Sequence, residues 1–322
     1  MDIIALNEEL KEKYPINVDI DFEVGDTSAS NDFELTESGN REYALHIPET
    51  EYGGVIEYEN EANCTEEKTF KGWTWRGLLT QWIISPATGE DYKKVSGEAN
   101  EILKEILADV FDGFFDVPQT DSGLVIRGYQ FERYCSVLAG LTKMLNERNY
   151  RLRIYSKRER PGERIRVYCE AVPIKKINGT YDDDTGLELE FTDDKMGINH
   201  LICLGKGELQ ERQRIDLYLD TDGNISETKQ IAGFLERQAV YDYGNAETLD
   251  DLKTKGIERL KEIASTKKLK INEVSEVDLE IGDIVVGRKN EMGLIVEQPI
   301  VRKILKISGG KETIEYKVEG EG

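Results

Sequence analysis

Apolar residues alternate with polar ones at Ile16, Val18 and Ile20, separated by Asn17, Asp19 and Asp21. A period of two predicts a half-buried strand. Ahead of it, Ile4 to Tyr14 reads as a short charged helix stopped by Pro15, because proline removes a donor and clashes with the preceding turn. Strand character resumes at Tyr43 to Ile47 and at Gly54 to Tyr58, with turn-formers Ser38-Gly39-Asn40 and Tyr52-Gly53-Gly54 between. From Trp75 to about Asn149 the period changes. Ala99, Ile102, Leu103, Ile106, Leu107, Val110 and Phe111 recur at helical spacing behind Ser96, a candidate N-cap. Phe131, Tyr134, Leu138, Leu141 and Leu145 form a second helical stripe ending near Asn149.

Strands then return. Tyr150 to Tyr155, a turn at Arg160-Pro161-Gly162-Glu163, and Arg164 to Ala171 predict a hairpin that rejoins the first β region. Further strands are expected at Gly186 to Phe191, Leu201 to Gly205, Ile215 to Leu219, Ile284 to Val286, Gly293 to Val296, and a closing hairpin from Ile300 to Val318 turning at Ser308-Gly309-Gly310-Lys311. One helix interrupts them: Thr248 and Asp251 suggest a capping box, Leu249, Leu252, Leu260 and Ile263 a buried face, and the lysines from Lys253 to Lys268 suit a helix C-terminus. The expected fold is α+β with two β-barrel modules and helical insertions. Residues 1–74, with an N-terminal helix, and 150–175, the return hairpin, form the first barrel; 75–149 are a helical insert; 176–322 form the second barrel, with its own insert around 245–268.

The net charge of −22 over 322 residues is unevenly spread. Residues 1–70 hold 19 acidic and 4 basic side chains, a net of −15, whereas residues 127–176 hold 13 basic and 5 acidic, a net of +8. A basic run beside aromatics can mark nucleic-acid binding, but Arg151 and Arg153 alternate with Leu152 and Ile154 as on the outer face of a hairpin, which favours a solvated or partner-facing strand. An acidic chain repels phosphate, so stable wrapping of DNA is not expected. Solubility alone also accounts for the acid, while a channel that DNA must pass without sticking would use the same repulsion. No apolar run approaches the roughly 20 residues that span a bilayer, and the start lacks a basic, cleavable leader pattern, so a soluble chain without a membrane partner is expected.

Recognisable chemistry is sparse. Cys64, Cys135, Cys169 and Cys203 form no C-x-x-C pair and share the chain with only His46 and His200, so reduced thiols from cytosolic synthesis are expected rather than a zinc site. Asp220-Thr221-Asp222-Gly223-Asn224 resembles a calcium loop, but Ile225 occupies the position where an EF-hand needs glycine, and a hairpin turn fits better. Asp182-Asp183-Asp184 with Asp193-Asp194 reads as a loop tip, and Gly205-Lys206-Gly207 as a turn that lacks the rest of a phosphate-binding motif. There is no G-x-S-x-G elbow, and His200 reads as a packed or hydrogen-bonding side chain. No catalytic residue, cofactor or metal ligand is assigned, and the chain reads as a non-enzyme.

All three tryptophans fall in one stretch, Lys71-Gly72-Trp73-Thr74-Trp75-Arg76-Gly77-Leu78-Leu79-Thr80-Gln81-Trp82, at a strand-to-helix junction. Rings that large bury much apolar area, which marks Trp73, Trp75, Arg76 and Trp82 as a candidate structural junction. In order and spacing this stretch, together with Gly128 to Tyr134 and Leu138 to Leu145, Asn199 to Leu209, and Ala239 to Tyr243, resembles the tail-hub family of long-tailed bacteriophages and phage-tail-like particles, similar also to hubs of contractile tails. The resemblance implies two tail-tube-like barrels per subunit and a homotrimeric ring at the distal end of the tail tube in the virion. The ring would join the tail tube protein to spike, tail-tip or baseplate proteins and let DNA pass transiently through an acidic lumen without specific binding. On that reading Arg151, Arg153, Arg164 and Arg166 are candidate subunit-interface residues facing the acidic 1–70 region of a neighbour. The residues before Val18 depart from the family pattern. Some hub-like proteins carry a C-terminal peptidoglycan hydrolase; with Gly322 just after the last hairpin, no such domain is expected here. The alternatives are a baseplate-associated peptidoglycan-degrading enzyme and an acidic adaptor outside any virus.

Overall fold

A computed structural model describes residues 1–26, 31–37, 42–61, 68–179, 187–193, 197–220, 223–246, 248–264, 267–274, 279–289 and 294–319. The first part of the chain is all strand: β1 (Ile3–Leu6), β2 (Glu12–Ile16), β3 (Asp19–Gly25), β4 (Asp32–Glu37), β5 (Ala44–His46), β6 (Gly53–Glu61) and β7 (Lys68–Thr74). A mixed stretch follows with α1 (Trp75–Leu78), β8 (Lys94–Glu98), α2 (Ala99–Leu107), β9 (Phe115–Asp116), β10 (Val125–Gln130), α3 (Val137–Asn146), β11 (Tyr150–Arg158) and β12 (Ile165–Pro173). The remainder contains β13 (Lys176–Gly179), β14 (Leu187–Asp193), β15 (His200–Leu204), β16 (Arg214–Leu219), β17 (Ile225–Ser226), β18 (Gln238–Asp242), α4 (Leu249–Ile263), β19 (Lys267–Val274), β20 (Ile284–Lys289), β21 (Leu294–Ser308) and β22 (Lys311–Val318).

By internal contacts the chain forms two units, 1–189 with 270–322, and 190–269. The first is built on an eleven-stranded sheet in the order β13-β20-β21-β3-β4-β7-β6-β5-β1-β2, with β22 on β21. The strands after 280 therefore lie in the same sheet as the N-terminal ones: β21 pairs antiparallel with β3, Arg302 opposite Gly25 and Ile307 opposite Ile20. This departs from the linear division at residue 176, because alternation reveals which face of a strand is buried but not which strand it pairs with. Among the described residues no sheet closes on itself, so the barrels expected from the sequence are open sheets here.

Four local expectations change. The N-terminal helix is a hairpin, because Asn7 Oδ1 accepts from the amides of Glu9 (3.0 Å) and Lys11 (2.8 Å) and turns the chain. Its second strand, β2, contains Pro15 and sits at a sheet edge, where a missing donor is tolerated. Ser96 lies in β8 and accepts from Gly128 N at 3.1 Å; the N-cap of α2 is Glu98, which accepts from Glu101 N at 3.0 Å. Phe131 and Tyr134 precede α3, whose N-cap is Ser136, leaving Leu138, Leu141 and Leu145 as its stripe. Gly293 lies outside the described residues, and the run from Leu294 through Ile307 is one strand, β21, rather than two.

The hairpin β11/β12 forms residue for residue from Tyr150 opposite Pro173 to Arg158 opposite Ile165. It does not rejoin the large sheet. It takes β9 in parallel beside β12 and shares one core with the helices, in which Leu103, Leu107, Leu141 and Met144 meet Leu152, Ile154, Val167 and Cys169. The large sheet has its own core around Phe22, Phe33, Leu45, Phe70 and Leu305.

The second unit is a four-stranded sheet, β17-β16-β15-β18, with α4 on one face. Thr248 caps α4 by accepting from Asp251 N at 3.1 Å, and Leu252 and Leu260 are buried while Leu249 faces out. A Cβ at Gly256 would lie 2.5 Å from Cys203 Sγ, so glycine sets how closely the helix approaches β15.

Candidate functional site

Thr74 ends β7 and caps α1: its hydroxyl accepts from Gly77 N at 3.1 Å and donates to the Asn31 carbonyl at 3.1 Å. That short turn distributes the three tryptophans differently. Trp75 is fully buried, with its ring 5.8 Å from Phe114. Trp73 is half-buried. Trp82 is exposed and pairs with Phe111, centroids 5.2 Å apart. Gly77 lets the turn close, since a Cβ there would stand 2.1 Å from the Asn31 carbonyl oxygen.

Arg76, between two of the tryptophans, opens a buried charge network. Its Nε and Nη2 donate to Glu51 Oε2 at 3.1 and 2.9 Å, and Nη2 also reaches the Leu152 carbonyl at 3.2 Å. Lys303 of β21 lies 3.7 Å from Glu51 and 3.1 Å from Glu280, with its ammonium 5.3 Å from the Tyr52 ring centroid. Arg151 donates to Asp283 Oδ1 at 2.8 Å, and the same oxygen accepts from Lys175 N at 3.0 Å. Three cations face three anions, so the network is formally neutral. Burial opposes the Glu51 charge, but Arg76 and Lys303 together hold its carboxyl below the ordinary range. Burial likewise opposes the Lys303 charge, and Tyr52, Glu51 and Glu280 more than offset it, keeping the ammonium above its usual value. Burial pushes Glu280 up. Breaking such a pair strands a charge away from water. The network therefore fixes the junction, the hairpin and the C-terminal strands to one another.

The four arginines named from the sequence separate accordingly. Arg151 is a buried member of the network, not a surface group; a strand residue beside the core can turn inward when a carboxylate waits there, which local alternation does not reveal. Arg153, Arg164 and Arg166 are exposed. Arg153 meets Glu170 at 2.9 Å, Arg166 meets Asp116 at 3.2 Å, and Arg158 pairs with Glu12 of β2. Part of the charge asymmetry is thus satisfied within one chain. Between these groups Tyr155 and Tyr168 stack at 5.3 Å, with the Arg153 guanidinium 4.7 Å from the Tyr155 centroid.

The outer face of the large sheet carries the N-terminal acid. Asp21 stands opposite Glu34 and Lys306, and Glu34 opposite Lys71, lining a groove of about 520 Å³ with Asp19, Glu23 and Asp32. Burial, with Glu23 adding to it, pushes the Asp21 and Asp32 carboxyls up.

Both histidines are held in place. His46 Nδ1 lies 3.0 Å from Ser156 Oγ and Nε2 3.3 Å from Glu12 Oε1, a serine–imidazole–carboxylate order invisible in sequence because the three residues come from distant strands. Ser156 and His46 are both fully enclosed, so this arrangement offers no nucleophile to a substrate. Burial lowers the His46 pKa to about 4, against the opposing pull of Glu12. His200 spans Glu236 (2.7 Å) and Asp216 (2.8 Å) and stacks on Tyr218 at 4.3 Å, as a packed, hydrogen-bonded side chain. Lys229, then Gln238 and His200, hold the Glu236 carboxyl at about 2.

Cys135, Cys169 and Cys203 are free thiols; burial pushes Cys203 up to about 11 and Cys169 higher still. Cys64 and the Asp182-Asp183-Asp184 loop lie outside the described residues, as do Thr221 and Asp222. Asp220 accepts from Asn224 N at 2.8 Å, as a turn requires. Among the described residues no three potential ligands gather for a metal, and no helix is long and apolar enough to cross a membrane. Sequence reasoning missed Glu51, Lys303 and Asp283, which carry no local signal, since each partner lies far along the chain.

The fold is similar to that of bacteriophage tail proteins. The 43 kDa tail protein of prophage MuSo2 from Shewanella oneidensis matches with a TM-score of 0.53 at 12% identity, over 99% of this chain and 98% of that one. The prophage tail protein gp18 from Listeria monocytogenes EGD-e gives 0.49 at 13% identity, over 100% and 96%. A chain of the phage P2 baseplate in its activated conformation with Ca gives 0.48 at 10% identity, over 100% and 99%. No protein-family model matches the chain, and no curated protein does.

Proposed function

We propose that this chain is a structural component of a phage or phage-like tail, a hub that forms a homotrimeric ring between the tail tube and the spike or host-binding apparatus. The observation that carries this reading is the fold likeness to the MuSo2 tail protein over nearly the whole length of both chains. The open eleven-stranded sheet, with unpaired edges among the described residues, suits a subunit whose β structure is completed by neighbours. Its acidic outer face is the surface assigned to the lumen, where phosphate repulsion would keep DNA moving. The exposed arginines of β11/β12, namely Arg153, Arg164 and Arg166, are assigned to subunit contact, and the Trp73–Trp82 junction to anchoring the helical insert. The chain's place is the tail or baseplate of the particle.

Mass measurement and negative-stain imaging of the purified chain at high concentration test the reading. The expected result is three-lobed particles with a central hole at about three times 36.7 kDa. A compact monomer at every concentration would sink the self-assembling ring.

A further inference from the structure

The loop before β18 presents its largest apolar side chains to water. Phe234 is 88% exposed and Leu235 59%. The loop is firmly tethered. Asn199 Nδ2 donates to the Leu235 carbonyl at 2.9 Å and Asn199 Oδ1 accepts from Arg237 N at 2.8 Å. His200 and Lys229 hold Glu236 at 2.7 and 2.6 Å, and the Arg237 guanidinium donates to the carbonyls of Phe234 and Glu236. An apolar tip fixed this way loses little freedom on binding, which is how an interface anchor is prepared. Among the described residues Arg237 meets no carboxylate, so a positive charge remains beside the tip.

A second exposed apolar feature has the opposite charge. Trp82, Ile83 and Phe111 are exposed together on the helical insert, with Trp82 and Phe111 in ring contact. Phe111 and Asp112 both adopt left-handed backbone, φ 47° and 55°, a conformation that a bulky side chain keeps only when its surroundings impose it. Asp109 and Asp112 stand on either side of Phe111 in sequence, both exposed, and among the described residues no cation forms an ion pair with either.

We propose that the Phe234–Leu235 tip of one copy seats on the Trp82–Ile83–Phe111 face of a second copy of this chain, with Arg237 meeting Asp109 and Asp112. The inference rests on the ring reading above and names a contact that closes the ring. A second copy is the favoured occupant because the apolar tip with its cation and the apolar face with its anions are both on this chain. A contact between two unlike surfaces of identical copies is the kind that repeats into a ring. An anionic membrane is disfavoured: the chain carries −22, and screening over about 10 Å at 0.1 M salt lets one arginine act locally but not across a whole bilayer.

Sedimentation velocity of the full chain, wild type beside Phe234→Asp, Arg237→Glu, Asp109→Arg/Asp112→Arg and the combination of the last two, tests this. Each single change should raise the dissociation constant of the oligomer by about tenfold or more, with unfolding temperature unchanged, and the combined charge reversal should recover part of the loss. If wild type assembles and Phe234→Asp assembles equally well, the proposed contact is wrong and the ring reading stands. If the tip variants weaken assembly but the insert variants do not, the tip seats elsewhere and the proposal falls. A wild-type monomer at every concentration removes both readings. Tip-dependent cosedimentation with phosphatidylglycerol vesicles by a monomeric chain would replace the proposal with a lipid surface.

Discussion

Trp75 and His46 are both fully enclosed, and for each the cost of change follows from what surrounds it. Trp75, at the start of α1, is fully buried against Phe114, so Trp75→Ala should lower stability by about 3–5 kcal/mol in urea unfolding. A loss under about 1 kcal/mol would mean that the ring is not a core anchor. His46 is a matter of protons. Its folded pKa of about 4 lies below the ordinary 6.5, so the unfolded chain binds more protons between those values. Stability attributable to His46 is therefore complete above pH 6.5 and declines as pH falls towards 4, by up to about 3 kcal/mol. Because many carboxylates titrate nearby in pH, the readout is the difference between wild type and His46→Gln, measured at pH 7 and at pH 4.5. The wild type should lose more than the variant on acidification, and equal losses would refute the assignment. The sequence groups Trp73, Trp75 and Trp82 as one aromatic anchor, while the structure makes them half-buried, buried and exposed, because the turn after Thr74 aims each ring separately.

At the scale of elements, what was legible depended on how local the cause is. The stripe Leu138, Leu141, Leu145 and the hairpin β11/β12 follow from periodicity and a turn within a few residues, and both are present. The N-terminal hairpin was not legible, because one side chain, Asn7, overrides a helix-compatible pattern. Helix α4 was recognisable from Thr248 and its leucines, but Gly256 in its middle looks like a weakness by propensity alone. The structure reverses that expectation. A methyl group there would approach Cys203 Sγ to 2.5 Å and Leu217 Cδ1 to 2.8 Å. Gly256→Ala should therefore destabilise the protein by about 1–3 kcal/mol instead of stabilising it, and Cys203→Ala in the same chain should recover most of the loss. A stabilised Gly256→Ala variant would show that α4 yields readily.

For the whole molecule, the long-range partners decide, and these the sequence conceals. The β21–β3 pairing and the Glu51–Arg76–Lys303 network join residues from opposite ends of the chain, and no periodicity marks them. The charge imbalance between residues 1–70 and 127–176 was visible, yet its most tempting member, Arg151, lies inside. That difference gives an experiment in which folding and assembly move independently. Arg151→Ala strands Asp283, which is fully buried and, among the described residues, forms no other ion pair, so stability should fall by about 3–5 kcal/mol. Arg164→Glu with Arg166→Glu changes two exposed side chains, of which Arg166 has one partly exposed partner in Asp116, and should cost under about 1 kcal/mol of folding stability. Its effect is expected in assembly instead, as a weakened oligomer whose deficit grows at low ionic strength, where like charges are least screened. Thermal unfolding and sedimentation on both variants decide between the roles. A charge-reversed chain that assembles normally at low salt would take the hairpin out of the subunit interface, whereas a stable Arg151→Ala chain would mean that the buried network is not what holds the hairpin to the C-terminal strands.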